Sequence, residues 1–193
     1  MHILLASTST YRRVLLARLG LTFECTAPGT DETPQANELS AALVARLAKA
    51  KAVAVAVARR YPDSLVIGAD QVAELGGEIL GKPGDHARAV RQLTLLSGNA
   101  VTFHTALCVQ QTATGRQFAH VDTTRVYFRQ LSAQEIERYL RAEQPYECAG
   151  SFKSESLGIS LFERIESQDP TALMGLPLIA LCRFLRELGV RLP

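Results

Sequence analysis

The stretch LVIGADQVAELGGEIL, residues 65–80, changes character half-way along. Leu65-Val-Ile-Gly-Ala69 is a continuous apolar run, the pattern of a strand buried on both faces, and it ends at Asp70-Gln71. Val72 to Leu80, around Gly76-Gly77, reads as a hairpin, so Asp70 is expected where a strand emerges. On the N-terminal side, His2 to Ala6 is a short apolar run, and from Thr10 the residues Val14, Leu15, Arg18 and Leu19 take helical spacing up to Gly20. Leu21 to Cys25 reads as a second strand, Ala27 to Asn37 as a loop carrying Asp31, Glu32 and two prolines, and Leu39 to Tyr61 as a long helix. On the C-terminal side, a helix is expected over Asp85 to Leu96, and Val101 to Val109 and Thr123 to Phe128 alternate like strands. Ser132-Ala-Gln-Glu135 is a capping box opening a further helix. The last helix runs through Leu176 to Leu188, with Pro177 near its start and Gly189 after its end. Strands mixed with helices, some of them hairpin-linked, predict an α/β fold with a mixed sheet and not a strictly doubly wound one.

Composition narrows the class. A chain of 193 residues with 47% hydrophobic residues can bury a sizeable core in one domain or in two small lobes. Its 21 basic and 19 acidic residues are spread along the chain without a basic tail, which argues against a polynucleotide partner. No apolar run approaches the roughly 18 residues of a membrane span. Cys25, Cys108, Cys148 and Cys182 are widely separated, and no charged n-region precedes a long apolar h-region, so reduced thiols in a cytoplasmic protein are expected.

Several polar clusters could carry chemistry. Ser7, Ser9, Thr10, Arg12 and Arg13 stand at the mouth of the first helix, where amides, hydroxyls and a guanidinium suit a phosphate, although Ser and Thr are also ordinary N-caps. Asp31-Glu32 in a Pro-flanked loop, with Asp70, are the carboxylates a hard divalent cation needs, and each alone is equally at home in a turn. Gln71 beside Asp70 has the groups to read a base edge. Arg46, Lys49 and Lys51 lie on the long helix; at about 100° per residue the two lysines point roughly 200° apart, so only one can serve a site, and spacing does not say which. Gly76 to Pro83 matches G-x-x-x-x-G-K, but Pro83 stands where a P-loop has Ser or Thr, and a hairpin replaces the strand and helix; Lys82 remains a point charge for a phosphate. Gly150-Ser-Phe-Lys-Ser-Glu-Ser-Leu-Gly158 is a polar, glycine-bounded loop. The four histidines show no metal-ligand spacing.

In order, LLASTSTYRRVLL, DETP, LAKAKA, GADQV, GKP, LSGN, GSFKSE and GLPL resemble the Maf family of nucleotide pyrophosphatases over nearly the whole chain, as one domain over residues 1–193. The resemblance implies an α/β fold related to the inosine-triphosphate pyrophosphatases, with a mixed twisted sheet, flanking helices and two lobes around a deep cleft. It also implies, in many members, a homodimer. The implied reaction is hydrolysis of a nucleoside triphosphate to the monophosphate and diphosphate with a divalent cation, Mg2+ first and Mn2+ or Co2+ as alternates. Position by position, Ser7, Arg12, Lys51 and Lys82 match the family's phosphate-binding residues, Glu32 its acidic loop residue and Asp70 its base, the last two also being the metal ligands. The resemblance thereby chooses Lys51 over Lys49.

The chain departs from the commoner A-S-x-S-P-R-R pattern at Thr10 and Tyr11, and carries Lys153 and Glu155 in its late loop. With these it looks like the members acting on 7-methyl-GTP rather than those acting on dTTP or UTP. Methylation at N7 makes guanine cationic, and Tyr11 and Glu155 offer it an aromatic face and a carboxylate, with Gln71 at another edge. The alternatives are a pyrophosphatase for dTTP, UTP or other non-canonical nucleotides such as a deaminated purine, or a non-catalytic nucleotide-binding regulator of cell division; a set of Glu32, Lys51, Asp70 and Lys82 argues against the latter.

Overall fold

The computed structural model describes residues 2–57 and 62–193. Seven strands and five helices follow one another as β1 (His2–Leu5), α1 (Thr10–Ala17), β2 (Glu24–Cys25), α2 (Ser40–Val57), β3 (Ser64–Leu75), β4 (Glu78–Leu80), α3 (His86–Leu96), β5 (Ala100–Gln111), β6 (Gln117–Phe128), α4 (Ala133–Glu143), β7 (Phe162–Glu166) and α5 (Leu178–Glu187) among the described residues. The strands form one sheet in the order β2-β1-β3-β5-β6-β7, with β4 on β3. β1 is parallel to β2 and β3, whereas β4 on β3 and β7 on β6 are antiparallel, so the sheet is mixed, as the hairpin at Gly76-Gly77 predicts. The chain divides into two compact units, one of residues 1–71, 105–122 and 169–193, the other of residues 72–104 and 123–168.

In the first unit, β1 pairs with β3 from His2 opposite Ser64 to Leu5 opposite Ile67. Leu5, Leu15, Leu16, Leu65, Ile67 and Leu107 join Leu176, Leu181, Phe184 and Leu185 in one core, which fixes α1 and α5 against the strands. Helix α2 is apolar nearly all round, with Leu43, Val44, Leu47, Ala48, Ala52 and Val55 buried, the composition of a helix that lies deep in its unit. Its close approach to β3 depends on Gly68. A Cβ there would collide with the Ala48 carbonyl oxygen and stand 2.7 Å from the Ala52 amide nitrogen. Lys51 lies on α2 between those two alanines, and Asp70, two residues on from Gly68, shares its strand face.

In the second unit, β4 closes the hairpin on β3 with Ala73 opposite Leu80. Asp85 caps α3 through Arg88 N–H at 2.8 Å, and the capping box of α4 is complete: Ser132 Oγ accepts from Glu135 N–H, and Glu135 accepts from Ser132 N–H at 2.8 Å. Phe103, Phe128, Phe152 and Phe162 pack edge to face with centroids 4.9 to 5.6 Å apart, so Phe152 of the glycine-bounded loop is a core residue.

Some expectations are revised. The buried strand does not end at Asp70 but runs on to Leu75, because the hairpin arm is the same strand continued. Leu21 to Cys25 yields only Glu24–Cys25 as strand. The long helix is described to Val57, and the rest of its expected range lies outside the described residues. The strand Phe162–Glu166 went unpredicted, its residues after Phe162 being exposed and mostly charged, which removes the period-two signal. Gly68→Ala should force α2 away from β3, at a cost of about 1–3 kcal/mol for overpacking a filled contact, read as a fall in the thermal midpoint; an unchanged midpoint would contradict the close approach described.

Candidate active site

The candidate site is built within the first unit on the loop after β1, the start of α1, the acidic loop, the middle of α2 and the middle of β3. Ala6 N–H extends the β1 pairing by donating to the Ile67 carbonyl at 2.8 Å, and Ser7 follows, buried. Ser7 Oγ accepts from Ser9 N–H at 3.1 Å, which leaves the hydroxyl proton to donate. Ser9 is the N-cap of α1, and its side chain accepts from Arg12 N–H. Ser9 therefore has the capping part, while Ser7 is held in the turn ahead of the helix. Tyr11 and Arg12 are half-buried on the first turn. Arg12 Nε donates to the Gly175 carbonyl at 3.0 Å, so the guanidinium is aimed and its two terminal NH2 groups remain for another acceptor. Gly175 has φ +110°, a conformation open to glycine, and the Arg12 side chain passes 3.6 Å from where a Cβ would stand.

Asp31 and Glu32 separate into two jobs. Asp31 Oδ1 accepts from Thr33 N–H at 2.9 Å and from Thr33 Oγ–H at 2.6 Å, closing a local turn. Arg46 fastens the same loop to α2, with both guanidinium contacts to Glu38 at 2.7 Å and one to the Thr33 carbonyl at 3.1 Å. That pairing holds Glu38 down to about 2. Glu32 is left to reach Lys51, with Nζ to Oε1 2.6 Å. Lys51 Nζ is also 2.6 Å from Asp70 Oδ1. Of the two helix lysines, Lys51 is buried and Lys49 exposed.

A buried ammonium shared by two carboxylates and approached by a guanidinium is the electrostatic centre of this unit. Burial pushes the Asp70 carboxyl above the usual carboxylate range, and the charges of Lys51 and then Arg12 oppose that rise without cancelling it. Removal from water lowers the Arg12 pKa, while the carboxylates of Asp70 and Glu32 act the other way. Gln71 is differently occupied. Successive strand residues face opposite ways, and its amide nitrogen donates to Thr105 Oγ1 at 2.8 Å and to the Ala172 and Leu173 carbonyls at 2.9 and 3.0 Å. The hydrogens that sequence reasoning offered to a base edge are spent on the segment before α5, leaving Oε1.

Lys82 and Glu155 belong to the second unit. Lys82 is exposed, its Nζ 3.7 Å from Glu147 Oε2. Glu155 is exposed with Ser154 Oγ at 3.3 Å, whereas its neighbour Lys153 is tied to Glu143 by the carbonyl at 3.0 Å and the carboxylate at 3.1 Å. Sequence reasoning missed Thr105, Asp169 and Thr171. A signal was present: Asp169-Pro-Thr171 repeats the Asp-x-Thr spacing of Asp31-Glu-Thr33, and Asp169 Oδ1 makes the same contacts of 2.9 and 2.6 Å with Thr171.

Likeness to known proteins gives this fold and its charge cluster a family. The model of the family described as Maf-like protein matches residues 2–188, and this chain belongs to that family. A 7-methyl-GTP pyrophosphatase of Xanthomonas oryzae pv. oryzae is 57% identical over 192 residues, covering 100% of this chain and 99% of that one. One from Xanthomonas axonopodis pv. citri is 54% identical over 192 residues, 100% and 99% of the two chains. One from Albidiferax ferrireducens is 54% identical over 191 residues, 98% and 94% of the two chains. Among solved structures, the Ham1 protein of Staphylococcus aureus shares 16% identity over 66% of this chain and 72% of its own, with a TM-score of 0.46. Among the described residues, no helix is long and apolar enough to cross a membrane.

In the free protein, the Asp70 carboxyl should titrate above the ordinary 3.8 of an aspartic acid. Lys51→Met should move it further up, because the opposing charge is lost while burial stays. Carboxyl-carbon NMR titration reads both, and a downward move in the variant would contradict the assignment of causes.

Proposed function

We propose that this protein hydrolyses 7-methyl-GTP to 7-methyl-GMP and diphosphate. The observation that carries the chemistry is the buried Lys51 ammonium 2.6 Å from both Glu32 and Asp70, beside Arg12. The full-length likeness to relatives named 7-methyl-GTP pyrophosphatase supports the substrate. In this reading a water attacks the α-phosphorus, the bond to the α–β bridging oxygen breaks, and diphosphate leaves. Asp70 takes the proton of that water. Its raised pKa suits the task, since a base nearer the working pH accepts a proton more readily than an ordinary carboxylate. Arg12, aimed by the Gly175 carbonyl, meets phosphate oxygens with its terminal NH2 groups, and Ser7 donates its hydroxyl proton to the same chain of oxygens. Lys51 neutralises phosphate charge from within the protein.

The donor set fits a hard divalent cation. Glu32 and Asp70 each meet Lys51 through one carboxylate oxygen and have a second oxygen to offer, so these two residues would hold the cation. That is the pattern for Mg2+, which takes one or two carboxylates and fills the rest of its shell with phosphates and water. When bound, the cation would supply Lewis-acid neutralisation of the phosphate charge.

Base preference follows from charge. The N7-methylated guanine ring is a cation, and Tyr11 stands where many family members carry an arginine. An aromatic face attracts such a ring by about 0.5–2 kcal/mol, and the absent guanidinium removes a repulsion. For Glu155 and Lys82, which belong to the second unit, parts in base preference and phosphate neutralisation are what the family resemblance implies. Asp70→Asn should lower diphosphate release from 7-methyl-GTP by roughly 10²- to 10⁴-fold while the circular dichroism spectrum stays unchanged. Turnover within a few-fold of the unaltered protein would remove Asp70 as the base.

A further inference from the structure

The segment between Asp169 and α5 is braced inwardly far more than a connection requires. Asp169 is 4% exposed, and its Oδ1 accepts both the amide and the hydroxyl of Thr171. Its Oδ2 accepts from Ile179 N–H at 2.7 Å, one of the amides that the first turn of a helix leaves unpaired. Thr171 Oγ1 accepts from Leu178 N–H at 2.9 Å and lies 2.9 Å from the Leu176 carbonyl. Backbone bonds from Ala172 to Asp169, Met174 to Thr171 and Gly175 to Ala172, at 3.0, 3.1 and 2.8 Å, close the turns between them.

The carbonyls of this braced segment point at candidate site residues. Ala172 C=O accepts from Gln71 Nε2 and from the buried Thr105 hydroxyl at 3.0 Å, Leu173 C=O accepts from Gln71, and Gly175 C=O accepts from Arg12 Nε. A cap for α5 accounts for the Ile179 and Leu178 contacts, the two first-turn amides met here, and not for the bonds between Asp169 and Thr171 or for the Thr171 hydroxyl against the Leu176 carbonyl. The remaining bonds fix the height and direction of the Leu173 and Gly175 carbonyls, and of the Ala172 carbonyl that also accepts from Gly175 N–H.

We propose that Asp169 and Thr171 are positioning residues: they hold the Gly175 carbonyl where it aims the Arg12 guanidinium, and so set the affinity for the triphosphate. This rests on the phosphate-binding part given to Arg12 above. A tie through Nε fixes the guanidinium plane and leaves both NH2 groups pointing the same way, the arrangement a forked donor needs to meet two phosphate oxygens at once. A segment free to shift would leave Arg12 as a loosely held charge.

The test is a double-mutant cycle read by calorimetric binding of inorganic tripolyphosphate with Mg2+, a probe that carries no base. Thr171→Val keeps the shape and removes the hydroxyl; Thr171→Ser keeps the hydroxyl. Thr171→Val should weaken tripolyphosphate binding roughly tenfold, and Thr171→Ser should restore it to within about twofold. In an Arg12→Lys background, which has no Nε–H for Gly175, Thr171→Val should cost less than about twofold more. On 7-methyl-GTP, the loss should fall mainly on KM. Asp169→Asn, which turns one acceptor into a donor facing an N–H, serves the same cycle if Thr171→Val folds poorly. Equal losses in the two backgrounds, or tripolyphosphate binding untouched by Thr171→Val, would overturn the proposal, since a purely structural cap acts without regard to Arg12. Coupled losses in a protein that cleaves no nucleotide would support the positioning while removing the enzymatic reading.

Discussion

The Lys51 ammonium, held 2.6 Å from Asp70 and from Glu32, is the constraint around which the first unit is arranged. Taking an ammonium out of water costs several kcal/mol unless opposite charges meet it at close range. Each neighbouring feature answers that demand. Gly68 lets α2 approach β3 closely enough for the lysine to reach the strand. Arg46 pins the acidic loop to the same helix, so that Glu32 arrives from the other side. Asp70 gives up much of its own hydration, and its raised pKa is the consequence. The cluster is therefore poised by its own desolvation, its charged groups already gathered.

Much of this was legible in the residues. The change from a continuous apolar run to a hairpin within residues 65–80 gave the mixed sheet, because burial on both faces and period-two alternation are properties of the sequence itself. Asp70 was found through its position after that run, although the strand continues past it. What could not be read was which of several equivalent groups faces inward. Lys49 and Lys51 differ only by the rotation of α2 about its axis, which packing at Gly68 decides. Asp31 and Glu32 are neighbours, and only the hydrogen bonds of Thr33 show that one closes a turn while the other reaches the lysine.

Gln71 shows the opposite case, in which chemistry suggested by residue type is already engaged. An amide beside the presumed base invites a part in base recognition, yet its hydrogens meet a hydroxyl and two carbonyls of the chain. Those bonds involve residues distant in sequence, so no local pattern reports them. The Asp-x-Thr spacing is local, and its double use, once to shape the loop that carries Glu32 and once to shape the segment that aims Arg12, links the two sides of the cluster by a single turn device.

Substrate preference in this account comes from charge on the base, with Tyr11 in place of a guanidinium. The direct measurement is kcat/KM for 7-methyl-GTP and for GTP, determined on the same purified protein with Mg2+ by diphosphate release. The two nucleotides share ribose and triphosphate, and they differ only in the methyl group and the charge it brings. The account predicts 7-methyl-GTP favoured by about tenfold or more, the scale of one aromatic–cation contact together with a removed repulsion. Equal values for the two, or a preference for GTP, would contradict it.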